Sequence, residues 1–426
     1  MTFPTSALNH FARVIGGSTP GPDPRYWGGD VNWLTPADVS RRHGGEVSKG
    51  ARTLSPEGLD SCSAMLAPTR SVVVTTRAPI GNVALTLVPS ATNQGCRTLV
   101  PDHRLDARYL RYQLQTRTDE LQSYGAGSTF SELSGGALGS TQIHVPPVSH
   151  QCDIADFLDR ECERIEAVLR AQDDLGVTAR QAKRDHVRRE LEADIESVPA
   201  AKLGWHFEVI PGYPFPSESF VGDPSDVRLL RGANVGVGRT DWSEMARWPA
   251  HDAQRYQRWL LRAGDLVLGL DRPWIKGGTR VTELTGEDVP ALLLQRVACL
   301  RPSTGELLSQ YVRLWIEHER FFADLGTEVT GVSVPHISPG QVAGFRVPVP
   351  DIERQLDVVR QALRARLVLR RLGTELEQLS GALNEYRDAL ITEAVTGKLD
   401  VTRLSDQQLD ESAHAAMEGE YPEVLA

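Results

Sequence analysis

The sequence predicts an α+β chain built from one unit used twice, an α/β domain followed by a long helix. Two observations predict it. Leu369, Leu372, Leu376, Leu379, Leu383, Tyr386 and Leu390 alternate spacings of 3 and 4, the a/d seam that buries one helix edge along another. Val145–Gln151, VPPVSHQ, returns 204 residues later as Val349–Gln355, VPDIERQ. At that offset Gly127 meets Gly331, Leu133 meets Ile337, Ser134 meets Ser338 and Leu138 meets Val342, with no gap. Such self-similarity outranks any local pattern in deciding architecture.

The elements follow in order. Residues 1–146 form the first α/β domain. It opens on a Gly/Pro-rich loop carrying Arg25, Tyr26 and Trp27. SVVVTTRAPIGNVALTLV, residues 71–88, reads as two strands around a turn at 77–82. Residues 107–123 space Tyr109, Leu110, Leu114 and Leu121 as a helix. Pro146-Pro147 then releases a helix over 147–200, with Leu158, Ile165, Val168 and Leu175 on its seam and Glu161 and Gln172 interrupting it. Residues 201–350 repeat the domain. Leu34 corresponds to Leu230, Val73 to Leu268, Arg77 to Arg272, Gln94 to Gln295 and Tyr109 to Tyr311, while the loops differ. The second helix covers 351–403, and an acidic tail, whose composition favours disorder, covers 404–426. About forty residues of helix extend on the order of 60 Å, too long for one face of an ordinary core, so the helices read as spacers.

Composition is that of a soluble globular protein, with 40% hydrophobic and 24% charged residues. No apolar run approaches the length of a membrane span, and five cysteines without CxxC or zinc spacing read as reduced thiols of a cytoplasmic protein. The net charge of −10 argues against nucleic acid taken whole. Its distribution softens that, because residues 1–146 hold 13 basic and 11 acidic residues and residues 201–350 hold 16 and 17. Both domains are nearly neutral and Arg-rich, and arginine serves both phosphate contact and guanine reading.

Candidate contact residues each carry two readings. Arg77 and Arg272, with Asn82 and Lys276 beside them as exposed donors, are phosphate or base contacts on a rigid sheet, or ordinary turn residues. Arg25, Tyr26 and Trp27 stack on a base or pack their own loop. Gln94 and Gln295 read adenine or cap strands. Arg97, Arg239 and Arg280 complete the set. Ser128, Thr129 and Ser333 suit domain–helix packing better than phosphate binding. No nucleophile, acid–base pair, phosphate loop or metal spacing stands out.

GGSTPGPDPRYWGGDVNWLTPADV near the start, GSTFSELSGGAL with VPPVSHQCDIADFLD, VPVPDIERQ and the closing LITEAVTGKLDV together resemble the specificity subunit of a type I restriction–modification system. The resemblance implies two target-recognition domains separated by two long antiparallel coiled-coil helices with pseudo-two-fold symmetry. Each domain would read one half of a bipartite target in double-stranded DNA, and the helices would set the gap. It implies two modification subunits methylating adenine N6 and restriction subunits that translocate and cut. S-adenosylmethionine, Mg and ATP would sit on those partners, with no cofactor or catalytic group on this chain. Two alternatives stay open: a coiled-coil scaffold for protein partners without DNA binding, and a specificity subunit of another defence or methylation assembly.

Overall fold

A computed structural model describes residues 3–77, 79–125, 132–275, 277–325 and 336–401. Lys276, Ser128, Thr129, Ser333, Gly127, Gly331 and the tail from 404 lie outside the described residues. The chain divides into unit 1 (residues 1–174 and 374–426) and unit 2 (residues 175–373).

Each unit contains the same four-stranded arrangement, which unit 1 extends by a fifth strand. In unit 1 the strand order is Ala12–Gly16, Cys96–Pro101, Val72–Thr75, Val83–Thr86, Glu46–Val47. In unit 2 it is Phe207–Pro211, Val297–Pro302, Leu266–Gly269, Val281–Glu283. Val72–Thr75 and Leu266–Gly269 are buried at every position, which explains their unbroken apolar or β-branched sequence. A mixed three-stranded sheet follows the same plan in both units. Trp27–Leu34 runs parallel to Ser90–Thr92 in the first, and Val227–Leu230 parallel to Ala291–Leu293 in the second.

The sheet registers correct one alignment. Val72 lies opposite Leu99 and Leu266 opposite Leu300, so the central strands correspond at a shift of 194, one less than the sequence comparison assigns. Arg77 therefore matches Asp271, and Arg272 is its neighbour. The pairing of Gln94 with Gln295 stands, because Cys96–Pro101 and Val297–Pro302 share one register against their neighbours. The helix expected over 107–123 is broken into Ala107–Gln115 and Thr118–Gly125. Asp106 caps the first of these, accepting from Arg108 N (2.9 Å) and Tyr109 N (3.1 Å).

The two long helices are Val148–Ser197 and Ile352–Thr396. A buried glutamine in the opening turns of each ties it to its own domain. Gln151 accepts from Asp106 N (2.8 Å) and donates to Arg104 O (3.0 Å) and Pro146 O (2.8 Å). Gln355 accepts from Leu308 N (2.9 Å) and donates to Glu306 O (2.7 Å) and Pro350 O (2.8 Å). Within unit 1, Leu383, Tyr386 and Leu390 are buried in one core with Leu158 and Ile165, and Leu379 packs against it. Leu376 there, and Leu369 and Leu372 in unit 2, are half-buried.

The seam of the first helix differs from expectation. Val168 and Leu175 are 40% and 50% exposed, whereas Glu161 and Gln172, the residues expected to interrupt the seam, are buried in it. The inward positions run Leu158, Glu161, Ile165, Leu169, Gln172, so two four-residue steps fall in succession. A 3.6-residue helix drifts against a 3.5 repeat, and such a step resets the facing edge. Gln172 is met there by Ser380, whose hydroxyl donates to its Oε1 (2.9 Å).

Among the described residues no helix is long and apolar enough to cross a membrane, and all five cysteines are free. Burial pushes the Cys96 thiol up to about 12 and Cys162 up to about 11, which keeps them un-ionised and unreactive.

Candidate nucleic-acid interface

Four segments meet at one corner of the main sheet in each unit. A glycine just past the first strand makes the approach possible. A Cβ on Gly17 would lie 1.9 Å from Asn93 O, and one on Gly212 would lie 2.0 Å from Leu294 O. The segment after the central strand is laced to the other two by matched bonds. Thr76 N donates to Gly95 O (2.8 Å) and Leu133 N to Thr76 O (2.9 Å) in unit 1. Leu270 N donates to Arg296 O and Ile337 N to Leu270 O, both at 2.9 Å, in unit 2.

The side chains on this common frame differ. In unit 1, Arg77 pairs with Glu132 at 3.1 Å. Gln94 is exposed, with its Oε1 held by the Thr19 hydroxyl. Arg97 donates to the carbonyls of Gln94 (3.4 Å) and Cys96 (3.2 Å). In unit 2 the charges are exchanged. Asp271 occupies the Arg77 position and receives His336 Nδ1 (2.6 Å) and the Arg296 guanidinium. Burial pushes the Asp271 carboxyl up, but hydrogen bonds from His336 and Arg296 outweigh it and hold the group below the usual carboxylate range. Arg272 and Arg296 both adopt left-handed backbone, φ 45° and 68°. Side chains there cost of order 1 kcal/mol or more and cluster where function needs them. Arg296 is 72% exposed despite its ion pair, and Gln295 and Arg272 are exposed beside it.

This corner collects Arg77, Gln94 and Arg97 in unit 1, and Arg272 and Gln295 in unit 2. Asp271, Arg296, His336 and Glu132 belong to it and escaped the sequence reading. Only the 204 and 201 offsets, applied to 132 and 95, pointed at 336 and 296.

Other candidates lie elsewhere. Arg280 is half-buried and donates to Val235 O and Asp271 O, both at 3.0 Å, and to Gly232 O, so it pins loops together inside the unit. Asn82, expected as an exposed donor, is half-buried and gives its amide to Ser40 Oγ (2.8 Å). Arg25 is clamped by Asp23 at 2.7 Å. Trp27 stands edge-on to Trp33 with ring centroids 5.2 Å apart, and the Arg52 guanidinium sits 3.4 Å over its ring. These contacts favour the loop-packing reading of Arg25 and Trp27. The counterpart in unit 2 is a different aromatic cluster of Tyr213, Phe215, Trp248, Tyr256 and Trp259. Arg239 is exposed after the Gly236–Gly238 turn.

Residues 2–171 match the family model of the type I restriction modification DNA specificity domain. The chain is 36% identical over 154 residues to the type I restriction enzyme MjaIX specificity subunit of Methanocaldococcus jannaschii, covering 35% of this chain and 36% of that protein's length. It is 24% identical over 315 residues to the MjaVIII specificity subunit of the same organism, 71% of this chain and 72% of the relative. Among solved structures, a chain of a type I R-M system, described for its complex assembly and conformational transition, is similar with a TM-score of 0.70. Its identity is 15%, over 93% of this chain and 98% of that one. The HsdS subunit of Thermoanaerobacter tengcongensis is similar with a TM-score of 0.56 and 16% identity, over 93% of this chain and 97% of that one. None of these matches supports the DNA-free scaffold.

Proposed function

We propose that this chain, which belongs to the specificity-subunit family of type I restriction–modification systems, reads a bipartite DNA target with one half-site assigned to each unit. The observation that carries the assignment is the shared corner with exchanged charges, Arg77–Glu132 in unit 1 against Asp271, Arg296 and His336 in unit 2. A like frame with unlike donors suits two different half-sites. Arginine and glutamine are the side chains that grip guanine and adenine edges bidentately. Asp271 orients Arg296 while leaving much of its guanidinium open.

The long helices are proposed to set the gap between half-sites, which would then face the protein roughly one DNA turn apart. In this reading two modification subunits dock on the chain and methylate adenine N6 using S-adenosylmethionine. Restriction subunits would supply Mg- and ATP-dependent translocation and cleavage, and the assembly would act in the cytoplasm. This chain contributes recognition and leaves the chemistry to those partners.

The test is methylated-adenine sequencing of a host carrying the chain and its neighbouring genes, comparing Arg296→Ala with the parent. The expected result is a bipartite motif that relaxes at one position in one half only, by a discrimination of about 1–3 kcal/mol. A motif unchanged in both halves would remove the corner from the recognition surface.

A further inference from the structure

Unit 2 contains a cavity of about 680 Å³ walled by the two long helices, the helix Ser309–Glu317 and the strands Trp274–Ile275 and Gly278–Thr279. Lys183, Arg313 and Arg366 line it. A Cβ on Gly238 would lie 2.6 Å from Arg313 Nη2 and 3.5 Å from Arg366 Nη2, so the two guanidinium groups converge on one spot. Gly238 also has φ 67°, so a side chain there would be strained and would displace the Arg313 guanidinium. Burial pulls the Lys183 amine down; Glu317 opposes this, and Arg366, Arg313 and Arg184 add to it. Among the described residues neither Lys183 nor Arg366 has a carboxylate within ion-pair distance. Glu317 is committed to Arg313 (2.8 Å) and Glu319 to Arg188 (3.4 Å), while Glu283 accepts from Gln310 and burial pushes its carboxyl up.

Unit 1 shows what is missing. Arg111 occupies the place of Arg313, and there Asp159 supplies the counter-charge, 2.9 Å from Arg111, 2.9 Å from Arg108 and 2.8 Å from the Tyr112 hydroxyl. The residue 204 positions after Asp159 is Leu363, which lines the cavity of unit 2. The repeat has exchanged an internal anion for an open space in which Lys183, Arg313 and Arg366 stand beside the carboxylates of Asp185, Glu283, Glu317 and Glu319.

We infer that this cavity binds a phosphate group, carried by a small ligand with a flat apolar part such as a nucleoside phosphate. Two planar guanidinium forks and an ammonium from three separate elements match a multi-oxygen anion. Val187, Leu191, Phe322 and the exposed Trp274 supply an apolar wall, and the volume lies within the range of small-molecule sites. The inference stands independently of half-site reading at the sheet corner.

The test is calorimetric titration of the full chain with adenosine diphosphate and with inorganic pyrophosphate, repeated on Arg366→Leu and Leu363→Asp. The second variant restores the carboxylate of unit 1 and is expected to keep or raise the melting temperature, so lost binding cannot be ascribed to unfolding. The expected result is saturable binding to the parent chain, weakened about tenfold or more in both variants. If neither compound binds but the affinity for duplex DNA drops about tenfold in Leu363→Asp, the small-ligand inference is overturned and the cations serve the DNA backbone instead. Absence of binding to both compounds together with unchanged DNA affinity also overturns the inference, as does binding that Leu363→Asp leaves intact. Altered base preference is a separate readout and bears only on the corner.

Discussion

Replacing Gln355 by methionine keeps the volume of a fully buried side chain and deletes three hydrogen bonds, of 2.9, 2.7 and 2.8 Å, to Leu308 N, Glu306 O and Pro350 O. Each such bond contributes about 0.5–1.5 kcal/mol net, and more where the abandoned partner stays buried. The loss should therefore be about 2–4 kcal/mol. Six of the eight tryptophans lie in unit 2, so fluorescence-monitored urea unfolding reports chiefly on that unit. With a slope of about 2 kcal/mol per molar urea, the fluorescence midpoint should fall by about 1–2 M. Gln151→Met deletes the matching three bonds in unit 1. It should cost a similar amount by calorimetry while barely moving the fluorescence midpoint. A shift below about 0.3 M for Gln355→Met, or a several-fold difference between the two variants by calorimetry, would refute the claim that these glutamines are matched clamps between domain and helix.

Other outcomes are as specific. Among the described residues Gln172 Nε2 is buried without a partner, so Gln172→Leu combined with Ser380→Ala should raise stability by about 1 kcal/mol or more in a denaturation curve; a loss of stability would count against the seam described. Arg280→Met should destabilise unit 2 yet leave the slope of DNA affinity against salt unchanged. Arg296→Met should weaken binding to the preferred half-site by about 1–3 kcal/mol and relax its specificity there, as expected when a base-reading arginine is lost. The folded-state pKa of Asp271 is depressed, so its ion pair with Arg296 stabilises unit 2 fully above the ordinary carboxylate range and is lost as pH falls through and below it. Acid titration of Asp271→Asn should accordingly show a smaller loss of stability across that window than the parent. Inserting seven residues into both long helices should lengthen the unspecified gap in the methylated motif, and an unchanged gap would end the spacer reading.

The sequence alone determined the order of elements, the duplication and the long helical seam near 380–390. Those depend on periodic burial and on turn residues, which repeat visibly over tens of positions. Leu383, Tyr386 and Leu390 are core because a heptad leaves them no alternative. Gln151 and Gln355 were legible as a repeated mark, though their work as clamps was not, because the domain-side partners, two for each, lie 45 to 49 residues away. Tertiary structure decided the rest. A one-residue change of register sends a strand's side chains to the opposite face, and hydrogen bonding between strands, which no local pattern records, set that register. It placed Asp271 rather than Arg272 opposite the Arg77 position and so revealed the exchanged charges. Packing between helices likewise chose Leu169 over Val168 and buried Glu161 and Gln172, since the facing edge follows helix geometry and not the polarity of each residue. Arg280 looked in sequence like any surface cation, and only the four carbonyls around it show that it is spent inside the fold.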